Sequence, residues 1–301
     1  MNDKPGYHCL GPGSSIALVA PSSSFEAGPY EKGVQILEAA GYEVVSGKNI
    51  FKKKGYLAGT DQERLQDLTQ AVLDPKIEAI ICIRGGYGSG RLLPRIPFSD
   101  FSRNPKLFIG HSDITFLHLG LMSRAGWTVF HGPNLIEMSH VPQRAENVIK
   151  VLSGQASYEW VFDGDQVLRP GAANGRVLGG NLSCLAHLAG TPYMPDTAGA
   201  LLLIEDRGEA LYRLDRMMNH LKLAGILARL GAILLGEFTG CAENADICKM
   251  IMDLVREYDF PVVHSLPFGH GAHNEVIAFG PPFVLDTNER LLKILEAPVV
   301  R

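Results

Sequence analysis

The residues with chemistry to offer fall in a few short stretches. Gly110-His111-Ser112-Asp113 follows an apolar run, Leu107–Ile109, and leads into a segment with apolar residues at Ile114, Leu117 and Leu121. That pattern predicts a strand, a sharp turn and a helix with Ser112 at the apex. There the hydroxyl stands above the sheet edge, and the free N–H groups of a helix start favour developing negative charge. Ser112 is therefore read as a nucleophile. The spacing keeps the first glycine of the hydrolase elbow but has Ile114 in place of the second, so a helix-capping role for Ser112 or Asp113 competes with it.

Two further stretches supply what a serine needs. Leu201–Ile204 runs straight into Glu205-Asp206-Arg207-Gly208, and Leu266-Pro267-Phe268-Gly269-His270-Gly271-Ala272-His273-Asn274 sets histidines in a glycine-rich loop. A hydroxyl attacks only if a base takes its proton, and an imidazole base needs a carboxylate to fix its tautomer and stabilise its cation. His270, flanked by glycines, is poorly explained by packing, and His273 competes with it. Asp206 competes with Glu205, although in a continuing strand its side chain leaves the opposite face.

A glycine-rich turn, Arg84-Gly85-Gly86-Tyr87-Gly88-Ser89-Gly90-Arg91, follows the apolar run Ala79–Ile83. It lacks the Lys-Ser/Thr of a P-loop and the GxGxxG spacing of a dinucleotide site. Its backbone N–H groups can approach a ligand closely, and Gly86 is expected to donate to an oxyanion beside the backbone N–H of Asp113. No HExxH or comparable cluster occurs, so no metal and no cofactor is expected.

The elements that must position these loops differ between the two halves. In the first, Ile16–Val19, Tyr42–Val45, Ala79–Ile83 and Leu107–Ile109 read as buried strands. Helical signals alternate with them at Tyr30–Ala40 and after Thr60-Asp61-Gln62-Glu63, a capping box ahead of Leu65, Leu68 and Val72. Strands separated by helices predict a parallel sheet, with ligand sites beyond the carboxyl ends of the strands. Signals weaken between Ile136 and Pro170, apart from a short helix at Glu146–Leu152. The second half carries short apolar runs such as Arg176–Leu178, Ala232–Leu235 and Val276–Phe279, with two helices at Leu211–Ala224 and Asp246–Tyr258. The expected architecture is α/β: residues 1–137 form a parallel-sheet domain carrying the nucleophile, and 138–172 form a linker. Residues 173–301 form a strand-rich, barrel-like α+β domain carrying Glu205 and His270.

Composition bounds the partners. The 301 residues carry a net charge of −4, and no basic block or polybasic tail invites nucleic acid or an anionic membrane surface. No apolar run is long enough to span a bilayer, and the amino-terminal stretch lacks a signal-peptide core, which together predict a cytoplasmic protein. The five cysteines are widely spaced without a CxxC pair, which argues against a zinc site or a disulfide framework. Trp127, in a strand-like stretch, is expected in the core, whereas Trp160 lies in the linker and within reach of a ligand.

Several motifs together resemble one family. GYLAGTDQERLQDLTQAVLDPKIEAIICIRGGYGSGRLL, FIGHSDITFLHL, GRVLGGNLSCLAHLAGTPY, LLLIEDRGEALYRLDRMMNHL and LPFGHGAHN are similar to the LD-carboxypeptidases, or muramoyltetrapeptide carboxypeptidases, in order over nearly the whole chain. The resemblance implies a Ser-Glu-His triad, matched here by Ser112, Glu205 and His270. It also implies a dimer that trims the terminal D-alanine from a small peptide, the murein tetrapeptide, in the cytoplasm. Arg84, Arg207, Arg213 and Arg216 are candidates to clamp the substrate carboxylate. A related alternative is a self-immunity peptidase of the microcin C type acting on aminoacyl-nucleotides, which requires an aromatic residue to stack on the base.

Overall fold

A computed structural model describes residues 7–300, which divide into two compact units, 7–157 with 275–278 and 297–300, and 158–274 with 279–296. In the first unit, a six-stranded sheet has the order Ile277–Phe279, Val129–His131, Leu107–Gly110, Ile77–Cys82, Ser15–Val19 and Glu43–Ser46. The pairings from Glu43–Ser46 through Val129–His131 are parallel, as strands alternating with helices require. The central strands are continuous apolar runs because helices cover the sheet: Ile16, Leu18, Ile80, Ile81, Phe108 and Ile109 are fully buried. Asp61–Leu73 begins at the anticipated capping box, with Thr60 Oγ1 accepting the Glu63 N–H at 3.2 Å and Glu63 Oε2 accepting the Thr60 N–H at 2.8 Å. A small parallel pair, Tyr7–His8 with Val299–Val300, belongs to the same unit.

The second unit is a strand-rich α+β structure. Its eight-stranded sheet runs Glu159–Val161, Leu291–Ile294, Pro282–Asp286, Ala172–Asn181, Leu201–Arg207, Ala232–Thr239, Val262–Val263, Val167–Arg169. The two edge strands are joined by residues 162–166 alone, a connection reaching at most about 20 Å. A flat sheet of that many strands would hold its edges roughly 34 Å apart. The sheet is therefore strongly curled into a half-barrel. Ala172–Asn181 turns the corner, pairing antiparallel with Pro282–Asp286 along its first half and parallel with Leu201–Arg207 along its second. Leu211–Leu223 and Asn244–Leu254 are the anticipated helices, and Leu182–Leu188 adds a third. Its start signal is Asn181, whose side chain accepts the Cys184 N–H at 3.2 Å.

Candidate active site

The strand Leu107–Gly110 ends at the expected turn, and Ser112 sits there with φ +64°, in the left-handed region. For a residue with a Cβ that posture costs about 1–2 kcal/mol, so it persists only where neighbours enforce it. Neither Ser112 nor Asp113 caps the short helical segments that follow. The Asp113 carboxylate points inward instead: its Oδ2 accepts the Ser22 hydroxyl at 2.6 Å and the Ser89 N–H at 2.8 Å, while the Ser89 hydroxyl donates to the Asp113 carbonyl at 2.6 Å. One buried side chain thus fastens three strand ends together, a role that no local sequence signal announced.

The glycine-rich turn lies against Ser112. A Cβ on Gly85 would stand 2.8 Å from Ser112 Cβ and 3.1 Å from its Oγ, so only glycine fits. Gly86 has φ +105° and a Cβ there would meet Ser23 Oγ at 2.4 Å. Ser23 Oγ also accepts the Tyr87 N–H at 3.1 Å, which fixes the course of this loop. Arg84 Nη1 donates to the Ser24 carbonyl at 3.0 Å.

In the second unit Glu205, fully buried, accepts from His270 Nδ1 at 2.6 Å on Oε2. The strand register between Leu201–Arg207 and Ala232–Thr239 shifts beside Glu205, the kind of irregularity that re-aims a side chain. Gly269 (φ +104°) makes room for the carboxylate, since a Cβ would come within 2.6 Å of Glu205 Oε2. The histidine loop is pinned along its length: the Leu266 N–H donates to the Leu235 carbonyl, the Glu237 N–H to the Phe268 carbonyl at 2.9 Å, and the Gly269 N–H to Asn274 Oδ1 at 3.2 Å.

The competing residues have different partners. His273 is exposed, whereas His270 is held on Glu205. Asp206 faces the other way, accepting from Asn181 Nδ2 at 2.9 Å and from the Ser183 N–H and hydroxyl at 2.9 and 2.8 Å, and burial pushes its carboxyl above the ordinary value. The Glu205 carboxylate, accepting from Nδ1, fixes the orientation of the His270 ring. The candidate residues are distributed over the two units: Ser112, Asp113 and Gly86 on the first, Glu205 and His270 on the second. Among the candidate clamps, Arg213 pairs with Glu209 and lies with Arg216 over the Tyr212 ring, and Arg207 is exposed.

Trp160 corrects the sequence reading. It is 7% exposed in the strand Glu159–Val161, edge-on to Phe268 at 5.0 Å and stacked on Phe283, and so forms the core of the second unit. Trp127 is buried as expected, its indole N–H donating to the Phe101 carbonyl.

Residues 16–132 match the LD-carboxypeptidase N-terminal domain and residues 174–285 the LD-carboxypeptidase C-terminal domain. The chain is 35% identical to the murein tetrapeptide carboxypeptidase of Pseudomonas aeruginosa, over 91% of this chain and 93% of that protein. It is similar to the solved muramoyltetrapeptide carboxypeptidase from Oxalobacter formigenes, with a TM-score of 0.82 and 30% identity over 92% of this chain and 97% of that one. The microcin C7 self-immunity protein MccF, solved in complex with aspartyl sulfamoyl adenosine, gives a TM-score of 0.87 at 26% identity, over 99% of this chain and 100% of the other.

Proposed function

Because this chain belongs to the LD-carboxypeptidase family of peptidases, we propose that it releases terminal D-alanine from murein tetrapeptides through Ser112, His270 and Glu205. The observation that most supports this reading is the 2.6 Å bond from His270 Nδ1 to a fully buried Glu205, paired with a serine held at φ +64°. Ser112 Oγ attacks the carbonyl between the L-centre of the diamino residue and D-alanine, and His270 Nε2 takes its proton. Glu205 keeps the imidazole in the required tautomer and stabilises the cation that forms. The oxyanion sits against the N–H groups of Asp113 and Gly86, each such donor worth roughly 3–4 kcal/mol. His270 then protonates the departing amine, and water resolves the acyl-enzyme. Arg84 and Arg207 are the proposed clamps for the terminal carboxylate, and the working form is proposed to be a cytoplasmic homodimer.

A second reading is carried by the likeness to MccF: cleavage of an aminoacyl-nucleotide amide. The burial of both tryptophans removes them as stacking partners for a base, so this reading would draw on an exposed tyrosine such as Tyr87. The experiment is D-alanine release from L-Ala-γ-D-Glu-meso-diaminopimelate-D-Ala by the wild type and by Ser112→Ala. Release by the wild type, reduced roughly 10⁴- to 10⁶-fold in the variant, is expected. Release that survives the substitution removes Ser112 from the mechanism. Hydrolysis of an aspartyl sulfamoyl adenosine but not of the tetrapeptide moves the second reading to the front.

A further inference from the structure

Glu137 reaches the nucleophile's turn from a neighbouring helix, Leu135–His140. Its Oε2 bonds to His111 Nε2 and also accepts the Asn134 N–H at 3.0 Å. The Asn134 side chain in turn accepts the His111 N–H at 3.3 Å. Both the ring and the main chain of the residue before Ser112 are thereby fastened to one helical turn. The same turn is anchored beside the glycine loop, because the Ile136 N–H donates to the carbonyl of Ile83 at 3.2 Å.

This arrangement is buried and charged. His111 is 1% exposed, and its ring faces His131 at 5.8 Å between centroids. Burial pushes the Glu137 carboxyl up, but the His111 charge, the bonds from His111 and Asn134 and the Arg144 guanidinium at 3.7 Å outweigh it and hold the group at about 2. Glu137 is therefore a full acceptor at neutral pH. Such a network is more than the helix start needs, since an asparagine cap and its partner glutamate are complete without a histidine.

A left-handed serine needs restraint on both sides. Asp113, bonded to Ser22 and Ser89, provides it on the carboxyl side. We propose that Glu137 provides it on the amino side, as a positioning residue that acts through His111 and Asn134 to hold Ser112 in its attacking posture. The proposal rests on the serine mechanism above and adds to it a residue that touches neither substrate nor nucleophile.

The test compares wild type, Glu137→Ala and Glu137→Gln for D-alanine release from the tetrapeptide and for amide hydrogen exchange over residues 111–114. Glutamine keeps an oxygen that accepts from His111 and Asn134; alanine keeps nothing. In Glu137→Ala, kcat is expected to fall about 10- to 100-fold with KM within about twofold, as for a displaced rather than a missing nucleophile. Glu137→Gln is expected to restore kcat to within about threefold of wild type. Exchange over 111–114 is expected to quicken at least about tenfold in the alanine variant alone. Should Glu137→Ala not fold, Glu137→Asp, one methylene too short for the span, takes its place with the same expectations. An unchanged kcat in the alanine variant, a glutamine variant as slow as alanine, a KM effect in place of a kcat effect, or unchanged exchange over 111–114 would each overturn the proposal. If the wild type releases no D-alanine, the substrate reading fails by itself, and the exchange comparison alone decides the role of Glu137.

Discussion

At the scale of single residues, the carboxylate behind the histidine separates a poised base from an ordinary imidazole. Glu205 Oε2 accepts from His270 Nδ1, and in the proposed mechanism Nε2 is the atom that takes the serine proton. Glutamine at this position can turn its amide N–H toward Nδ1 and hold the imidazole in the opposite tautomer. Glu205→Gln is accordingly expected to lower kcat by roughly 10⁴ while leaving KM little changed, measured as steady-state D-alanine release. A loss confined to KM would place Glu205 in substrate binding instead. The residue types were legible from the chain, and the pairing of His270 with Glu205 was implied by the family resemblance, whereas no local pattern told which histidine meets which carboxylate. His270 and His273 lie in one loop, and Glu205 and Asp206 are adjacent. Their separation came from the strand alternation that turns Asp206 toward Asn181 and Ser183 and Glu205 toward the histidine loop.

At the scale of elements, the Ser112 turn and the glycine-rich turn are two strand ends packed against each other. The missing side chain of Gly85 lets them approach, since a Cβ there would intrude to 2.8 Å from Ser112 Cβ. Gly85→Ala is expected to cost about 1–3 kcal/mol of stability through forced displacement, read by urea unfolding. It should also lower kcat at least about tenfold, because the displaced element carries the proposed nucleophile. Wild-type kcat in a folded Gly85→Ala variant would show that the two turns move independently. The short helix Leu182–Leu188 is one of the elements the sequence pattern did not separate from its surroundings: it spans barely two turns, too few for an apolar period to declare itself, and its Asn181 cap was the available signal.

At the scale of the whole molecule, buried ionisable groups give the fold a dependence on pH. His118 is fully buried against Phe108, and burial, assisted by the His111 charge, lowers its pKa from the ordinary 6.5 to about 3. Between those values the unfolded chain binds a proton that the folded chain does not, so stability rises with pH through this window and is lost as pH falls below 6.5. From pH 6.5 to 5 the wild type is expected to lose about 2 kcal/mol more than His118→Gln. In a Trp160→Phe background, fluorescence of Trp127 follows unfolding of the first unit alone, and equal losses in the two proteins would remove His118 as the cause. The sequence by itself determined the parallel sheet, the capping-box helix, the strand-rich second half and the loops that carry Ser112, Glu205 and His270. These rest on periodicity and turn residues within a few positions, and burial on one face is written into the chain at that range. The tertiary structure alone decided that Ile277–Phe279 returns to the first unit's sheet, that Trp160 is core, that Asp113 bonds to Ser22, and that Glu137 braces His111. Each of these joins groups distant along the chain, and a hydrogen bond or a sheet pairing between distant residues leaves no local period, because its partner is chosen by how the layers close over their apolar faces.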